Sequence, residues 1–219
     1  MSRREYNMNP STPTIDPIFN APLTNNLQDV VSGTVGIIKR GSQGTFTQDG
    51  MLFKSCVLEF DNNWIKNVKY DTPFTILFSY KKTSQSGHAT LMSTWVKTSN
   101  PVGILIECNN STPTNLTCSF TKSGYVRMSA VGYANSGVVN VQHHKSGFSY
   151  DGNGTLTRIQ DGIITVNTNV ITQSNFQNFA QTTLCFGGSI SYNGDHWAGT
   201  IGNILIFDKE LTQEEINKL

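Results

Sequence analysis

Between residues 55 and 207 the chain repeatedly alternates apolar and polar side chains, in runs of five to ten residues bounded by turn formers. Successive side chains of a strand point to opposite faces, so period-two alternation predicts half-buried β-strands rather than helices. In Phe74 to Lys82 one face carries Phe74, Ile76, Phe78 and Tyr80, while the other mixes Thr75, Leu77, Ser79 and Lys81. Ser55 to Phe60 alternates as well, and the face Val102, Ile104, Ile106 is followed by Leu116, Cys118 and Phe120. The polar, Pro-containing stretch Asn109 to Asn115 then reads as the loop of a long hairpin, and Val126, Met128 and Ala130 as a further face. Leu156 to Gln160 and Ile163 to Asn167 flank Asp161-Gly162, and an Asp-Gly pair between two such runs predicts a two-residue hairpin because glycine accepts positive φ freely.

Thr183 to Phe186 ends in Gly187-Gly188, and Gly199 to Phe207 is the last strand. Strict alternation there puts Ile201, Leu205 and Phe207 on one face and Ile204 and Ile206 on the other, which predicts a strand covered on both sides. One short helix closes the chain. Thr212 and Glu215 have capping-box spacing, and Leu211 and Ile216 occupy the positions of a hydrophobic staple. Residues 1 to 17 carry Pro10, Pro13 and Pro17 and no apolar period, which predicts an extended N-terminal arm ahead of one sandwich spanning 18 to 219.

Composition narrows the function classes. A chain of 219 residues can bury a full core without staples, and 14% charged residues suits strands and turns rather than solvated helices. A formal net charge of +1 provides no field for gathering nucleic acid or an anionic membrane. The start MSRREYNMNP lacks the apolar run of a secretory signal, and no stretch reaches transmembrane length, so neither secretion nor membrane insertion is expected. In that setting the sequons at Asn109, Asn110, Asn115 and Asn153 carry little meaning. Cys56, Cys108, Cys118 and Cys185 each lie in apolar runs and read as buried thiols, with Cys108 and Cys118 placed to face each other across the hairpin if the protein meets an oxidising space.

The ending GTIGNILIFDKELTQEEINKL closely resembles the C-terminal motif of laminin-G-like, concanavalin-A-like lectin/glucanase domains, through Gly199, Ile201, Ile206, Phe207, Leu211, Thr212, Glu214, Glu215 and Ile216. Upstream, SYDGNGTLTRIQDGIITV resembles the family's hairpin, TLCFGGS its next strand, FTILFSYKKT an early core strand, and IFNAPLTNNLQDVVSGTVG its opening strand and loop. The Trp usual before the Tyr-Asp-Gly stretch is missing, with Val141-Gln142-His143-His144 in its place. The resemblance implies an all-β, antiparallel two-sheet jelly-roll sandwich. It does not fix function, which lives in loops grafted on such folds.

Catalysis is not expected. Glucan hydrolases of this family carry a Glu-x-Asp-x-x-Glu strand whose carboxylates act as nucleophile and acid. Here Glu59-Phe60-Asp61-Asn62-Asn63-Trp64 starts correctly but places Trp64 where the acid should stand, leaving a hydrolase as a remote alternative. His88, His143, His144 and His196 lack zinc spacing, and no nucleophile elbow, P-loop or Rossmann glycine pattern occurs. No cofactor is expected. Calcium is the one ion that the residue types allow, through Asp151, Asn153, Asp161 and Asp195, which do not form the dense acidic loop a hard cation prefers. The strongest ligand-site candidate is the loop containing Tyr192, Asn193, Asp195, His196 and Trp197, because sugars are held by an aromatic platform beside hydrogen-bonding groups. Packing of Trp197 into the core is the competing expectation.

Taken together, these features predict a non-catalytic structural or binding module. The resemblance, the arm and the missing signal suggest a bacteriophage virion protein (capsid decoration, collar or tail fibre). It would be assembled in the host cytoplasm as a homo-oligomer, joined to other virion subunits through residues 1 to 17, and in contact with cell-surface glycans. A stand-alone carbohydrate-binding lectin is the alternative.

Overall fold

The computed structural model describes residues 15–83, 89–94, 103–108, 116–121, 142–169, 171–173, 183–190 and 194–219. Its strands are β1 (Phe19–Ala21), β2 (Ile37–Arg40), β3 (Thr45–Thr47), β4 (Gly50–Lys54), β5 (Val57–Phe60), β6 (Phe74–Lys82), β7 (Ala89–Ser93), β8 (Gly103–Cys108), β9 (Leu116–Thr121), β10 (His143–Tyr150), β11 (Thr155–Gln160), β12 (Ile163–Asn169), β13 (Leu184–Phe186) and β14 (Ala198–Phe207). Among the described residues there are also two short helices, α1 (Asn63–Asn67) and α2 (Gln213–Lys218). Every strand pair is antiparallel. One sheet, here the large sheet, runs β12-β11-β10-β6-β14-β4-β3 with β1 also on β14, and the other, the small sheet, runs β2-β5-β13-β7-β8-β9. This is a jelly-roll sandwich, as the resemblance implies, built from strands of the kind that the alternating pattern predicts.

The core lies between the sheets. Phe74, Ile76, Phe78 and Tyr80 of β6 face inward against Leu58, Phe60, Ile104, Ile106, Phe120 and Phe186 of the opposite sheet. Aromatic rings set its geometry: Phe19 meets Phe60 edge-on at 5.0 Å between centroids, and Trp64 meets Phe74 edge-on at 5.6 Å. The Asp161-Gly162 hairpin forms with φ of 48° and 82°, the double positive turn that matches strand twist. Cys108 and Cys118 do not face each other. The register pairs Cys108 with Leu116 and Cys118 with Ile106, leaving the two thiols diagonal on one face, a spacing of roughly 7–8 Å that suits packing and not a disulfide. All four cysteines are buried and free. Burial pushes the Cys108 and Cys185 thiols up to about 11.

Strand β14 corrects the strict alternation. Its pairing with β6 slips between Gly202 and Leu205, and Asn203 at the slip has φ 45°. This bulge inserts one residue and changes phase, so Ile201 joins Ile204 and Ile206 in the inter-sheet core. Leu205 and Phe207 turn outward to a second cluster with Leu77, Ile159, Leu211 and Ile216, which α2 covers. Ile15 packs on this cluster too, and the Ile18 N–H donates to the Ile206 carbonyl at 2.8 Å. Residues 1–14 of the arm and the face Val126, Met128 and Ala130 lie outside the described residues.

Candidate functional site

The small sheet carries polar residues on its outer face. Cross-strand register places Glu59, Cys185, Ser93, Leu105 and Ser119 in one row across five strands. The neighbouring row is Thr90, Glu107 and Thr117. Thr90, Ser93, Glu107, Ser119 and Cys185 are all buried, and the Ser119 hydroxyl is enclosed without a hydrogen-bond partner. This second face thus mixes Ser, Thr, Glu and Cys with Leu105, and all but Glu59 and Thr117 are closed to solvent.

At one end this face runs into the loop that follows β13. Gly187 donates to the Leu91 carbonyl at 2.9 Å and accepts from the Trp197 N–H at 3.0 Å, and the Thr90 N–H donates to the Asp195 carbonyl at 2.6 Å. The base of the loop is thereby tied to β7. Asp195 turns the chain with φ 55°. His196 forms a parallel bridge with Thr90, and its Nδ1 is enclosed and unpartnered against Gly188, where a Cβ would stand 2.8 Å from that nitrogen. Burial, and then the charge of Arg40, hold the imidazole below its ordinary pKa, so it is neutral at pH 7. Arg40, at the end of β2, donates from Nη2 to the Ile190 carbonyl at 3.2 Å and closes the loop from the other side. Arg40 escaped sequence reasoning. No local pattern marks it, and only the fold brings it beside residue 196.

Trp197 requires a correction. It is fully buried, faces the inter-sheet core and meets Tyr80 edge-on at 5.7 Å, so it presents no stacking platform to a ligand. The alternation of β14 carries it inward with Ile201. Asp195 and His196 are half-buried at the loop, while Tyr192 and Asn193 lie outside the described residues.

The candidate calcium ligands do not assemble. Asp151 Oδ1 accepts from the Asn153 and Thr155 N–H groups at 2.7 and 2.9 Å and closes its own turn, while Asp161 Oδ1 reaches across to β10 and accepts from the His144 N–H at 3.1 Å. They stand at opposite ends of the six-residue β11, about 20 Å apart. Among the described residues no group of three His, Cys, Asp or Glu side chains could share a metal ion. The Glu59-x-Asp61 pattern dissolves similarly. Strand β5 stops at Phe60, and Asn62 caps α1 by accepting the Trp64 N–H at 2.7 Å, so Asp61 leaves the sheet and pairs with Lys66.

No family model matches the chain, and no curated protein matches it in sequence. Solved structures do share its fold. Domain 4 of AbnA, a GH43 extracellular arabinanase from Geobacillus stearothermophilus, determined in complex with arabinotriose, is 14% identical with TM-score 0.68 over 93% of this chain and 97% of that one. The sialidase of Trypanosoma rangeli in complex with a difluoro-KDN sugar is 11% identical with TM-score 0.67, over 93% of this chain and 32% of that one. The receptor-binding domain of botulinum neurotoxin D is 17% identical with TM-score 0.61, over 92% of this chain and 51% of that one. The chain thus spans about half the length of the toxin domain and a third of the sialidase. At these identities the likeness establishes the sandwich.

Proposed function

We propose that this protein is a non-catalytic carbohydrate-binding module of the laminin-G-like type, whose ligand is held by the loop after β13. The supporting observation is that its fold corresponds end to end with that of a domain solved with an arabino-oligosaccharide. Asp195 and His196 are the hydrogen-bonding groups of the site, joined by Arg40, and Tyr192 and Asn193 precede them in sequence. The Asp carboxylate and neutral imidazole suit vicinal hydroxyls, which both donate and accept.

A hydrolytic role fits poorly. Glu59 and Glu107 stand three strands and one two-residue step apart, about 16 Å between Cα atoms. Glycosidic carboxyl groups stand roughly 5–9.5 Å apart. Glu59 is moreover drawn away towards β2 by Lys39, at 3.1 Å. The virion role rests on the resemblance, the arm and the missing signal, whereas the binding reading has a matching fold solved with a bound oligosaccharide, so the binding reading comes first. Its test is a glycan array followed by calorimetric titration of the best ligand, with and without EDTA. Specific binding that weakens at least tenfold in Asp195→Ala and His196→Ala, at unchanged melting temperature, supports it. Binding to no glycan, or full affinity in both variants, overturns it, and loss in EDTA alone would put a metal in the site.

A further inference from the structure

The outer face of the large sheet carries a second, differently charged patch. At the end away from α2, register aligns Lys81 of β6, Thr200 of β14 and Leu52 of β4 in one row. The next row towards the strand ends pairs Ala198 with Lys54, and on the other side Ser79 stands opposite Gly202. Their inward neighbours Phe78, Tyr80, Met51, Phe53 and Ile201 belong to the core, so alternation points Ser79, Lys81, Thr200 and Lys54 outward together. Ser79 is 2% exposed and its hydroxyl has no hydrogen-bond partner. A buried hydroxyl without a partner forgoes a hydrogen bond that a ligand or water would supply. Neither lysine has a carboxylate at ion-pair distance among the described residues, where the carboxylates that are paired belong to other cations.

We infer that this face is an oxyanion-binding site for a carboxylate or sulfate borne on a sugar, separate from the loop after β13. The two lysine Cα atoms are two strands and one two-residue step apart, about 12 Å, which lets both ammonium groups reach an anion seated over Thr200. Between the two lysines β14 presents the small side chains of Ala198 and Thr200. The Thr200 and Ser79 hydroxyls then add neutral donors beside the two point charges.

The test is a backbone NMR titration of the whole chain at low ionic strength, with inorganic sulfate, a sulfated disaccharide, trigalacturonate and neutral arabinotriose as separate probes. The acidic sugars are expected to shift the amides of Ser79, Lys81, Thr200 and Gly202, and to lose at least tenfold in affinity for Lys54→Ala/Lys81→Ala. Ser79→Ala is expected to weaken them several-fold at unchanged melting temperature, and Lys81→Arg to retain most of the binding. Equal response to inorganic sulfate would reduce the site to a simple anion site and overturn the sugar assignment. Wild-type affinity in the double variant, or acidic-sugar shifts confined to the loop after β13, would overturn the site itself. Arabinotriose binding reports on the loop alone, so either proposal can fail while the other stands.

Discussion

The Thr75 hydroxyl sits within 2.7 Å of the Ser149 hydroxyl, donates to the Lys209 carbonyl at 2.8 Å and accepts the Leu211 N–H at 3.0 Å. One fully buried side chain therefore fixes the turn leading from β14 to α2. Thr75→Val keeps the shape and strands the Lys209 carbonyl and the Leu211 N–H, so unfolding free energy should drop by about 1–3 kcal/mol in urea titration. Trp197 gives the complementary case. Its ring fills the core against Tyr80, and Trp197→Ala should cost about 3–5 kcal/mol, read as a fall in melting temperature. Affinity lost without a fall in stability would return Trp197 to the ligand site. Sequence supplied both readings of this tryptophan. An aromatic beside Asp and His looks the same in a core and in a sugar site, and only the facing strand separates them.

At the level of elements, α2 is short and draws its stability from its ends and its buried face. Thr212 and Glu215 exchange side-chain and backbone bonds in a complete capping box, and Lys209 holds Glu215 at 2.7 Å. Gln213 goes further than any spacing rule indicated: its amide accepts from the Ile164 N–H at 2.8 Å and donates to the Gly162 carbonyl at 2.6 Å, pairing the helix with the edge strand β12. Ile216→Ala should cost about 2–5 kcal/mol, because it empties the centre of the outer cluster. Thr212→Ala should cost about 1 kcal/mol, both by thermal melting. The helix, the Asp161-Gly162 hairpin and the long alternating strand β6 were legible because each is fixed by neighbours in sequence. The phase of β14 was not, since one bulge residue, Asn203, reverses every later side chain. Helix α1 was also missed, although Asn62 before Asn63 is a cap signal, because the Glu59-x-Asp61 resemblance invited a strand reading. Of the candidate loop, Asp195 and His196 were legible by type. Arg40 was not, because residues 150 positions apart meet only through the order of strands.

Across the whole molecule, the shifted groups give stability a defined response to acid. His196 is held below its ordinary pKa of 6.5 by burial and then by Arg40. Glu215 is held below 4.5 by its bond from Lys209 and by the Thr212 N–H. Asp151 is also lowered, since the Asn153 and Thr155 N–H groups outweigh a burial that alone would raise it. In each case the unfolded chain binds the proton more readily than the folded one, so stability is full above the unfolded pKa and is lost as pH falls through the folded value. Glu210 opposes them. Burial and the charge of Asp151 raise it, so protonation on acidification relieves a cost. The windows separate: His196 acts from about pH 6.5 downward, and Glu215 and Asp151 only below about 4.5. Melting temperature should therefore decline in two steps, and His196→Gln should flatten the upper step while leaving the lower one. The same substitution should remove any change of glycan affinity between pH 7 and 5, because the imidazole that would gain the proton lies in the candidate loop. An upper step that persists in His196→Gln would assign it to a group elsewhere, and the imidazole would then be neutral at the loop without bearing on the fold.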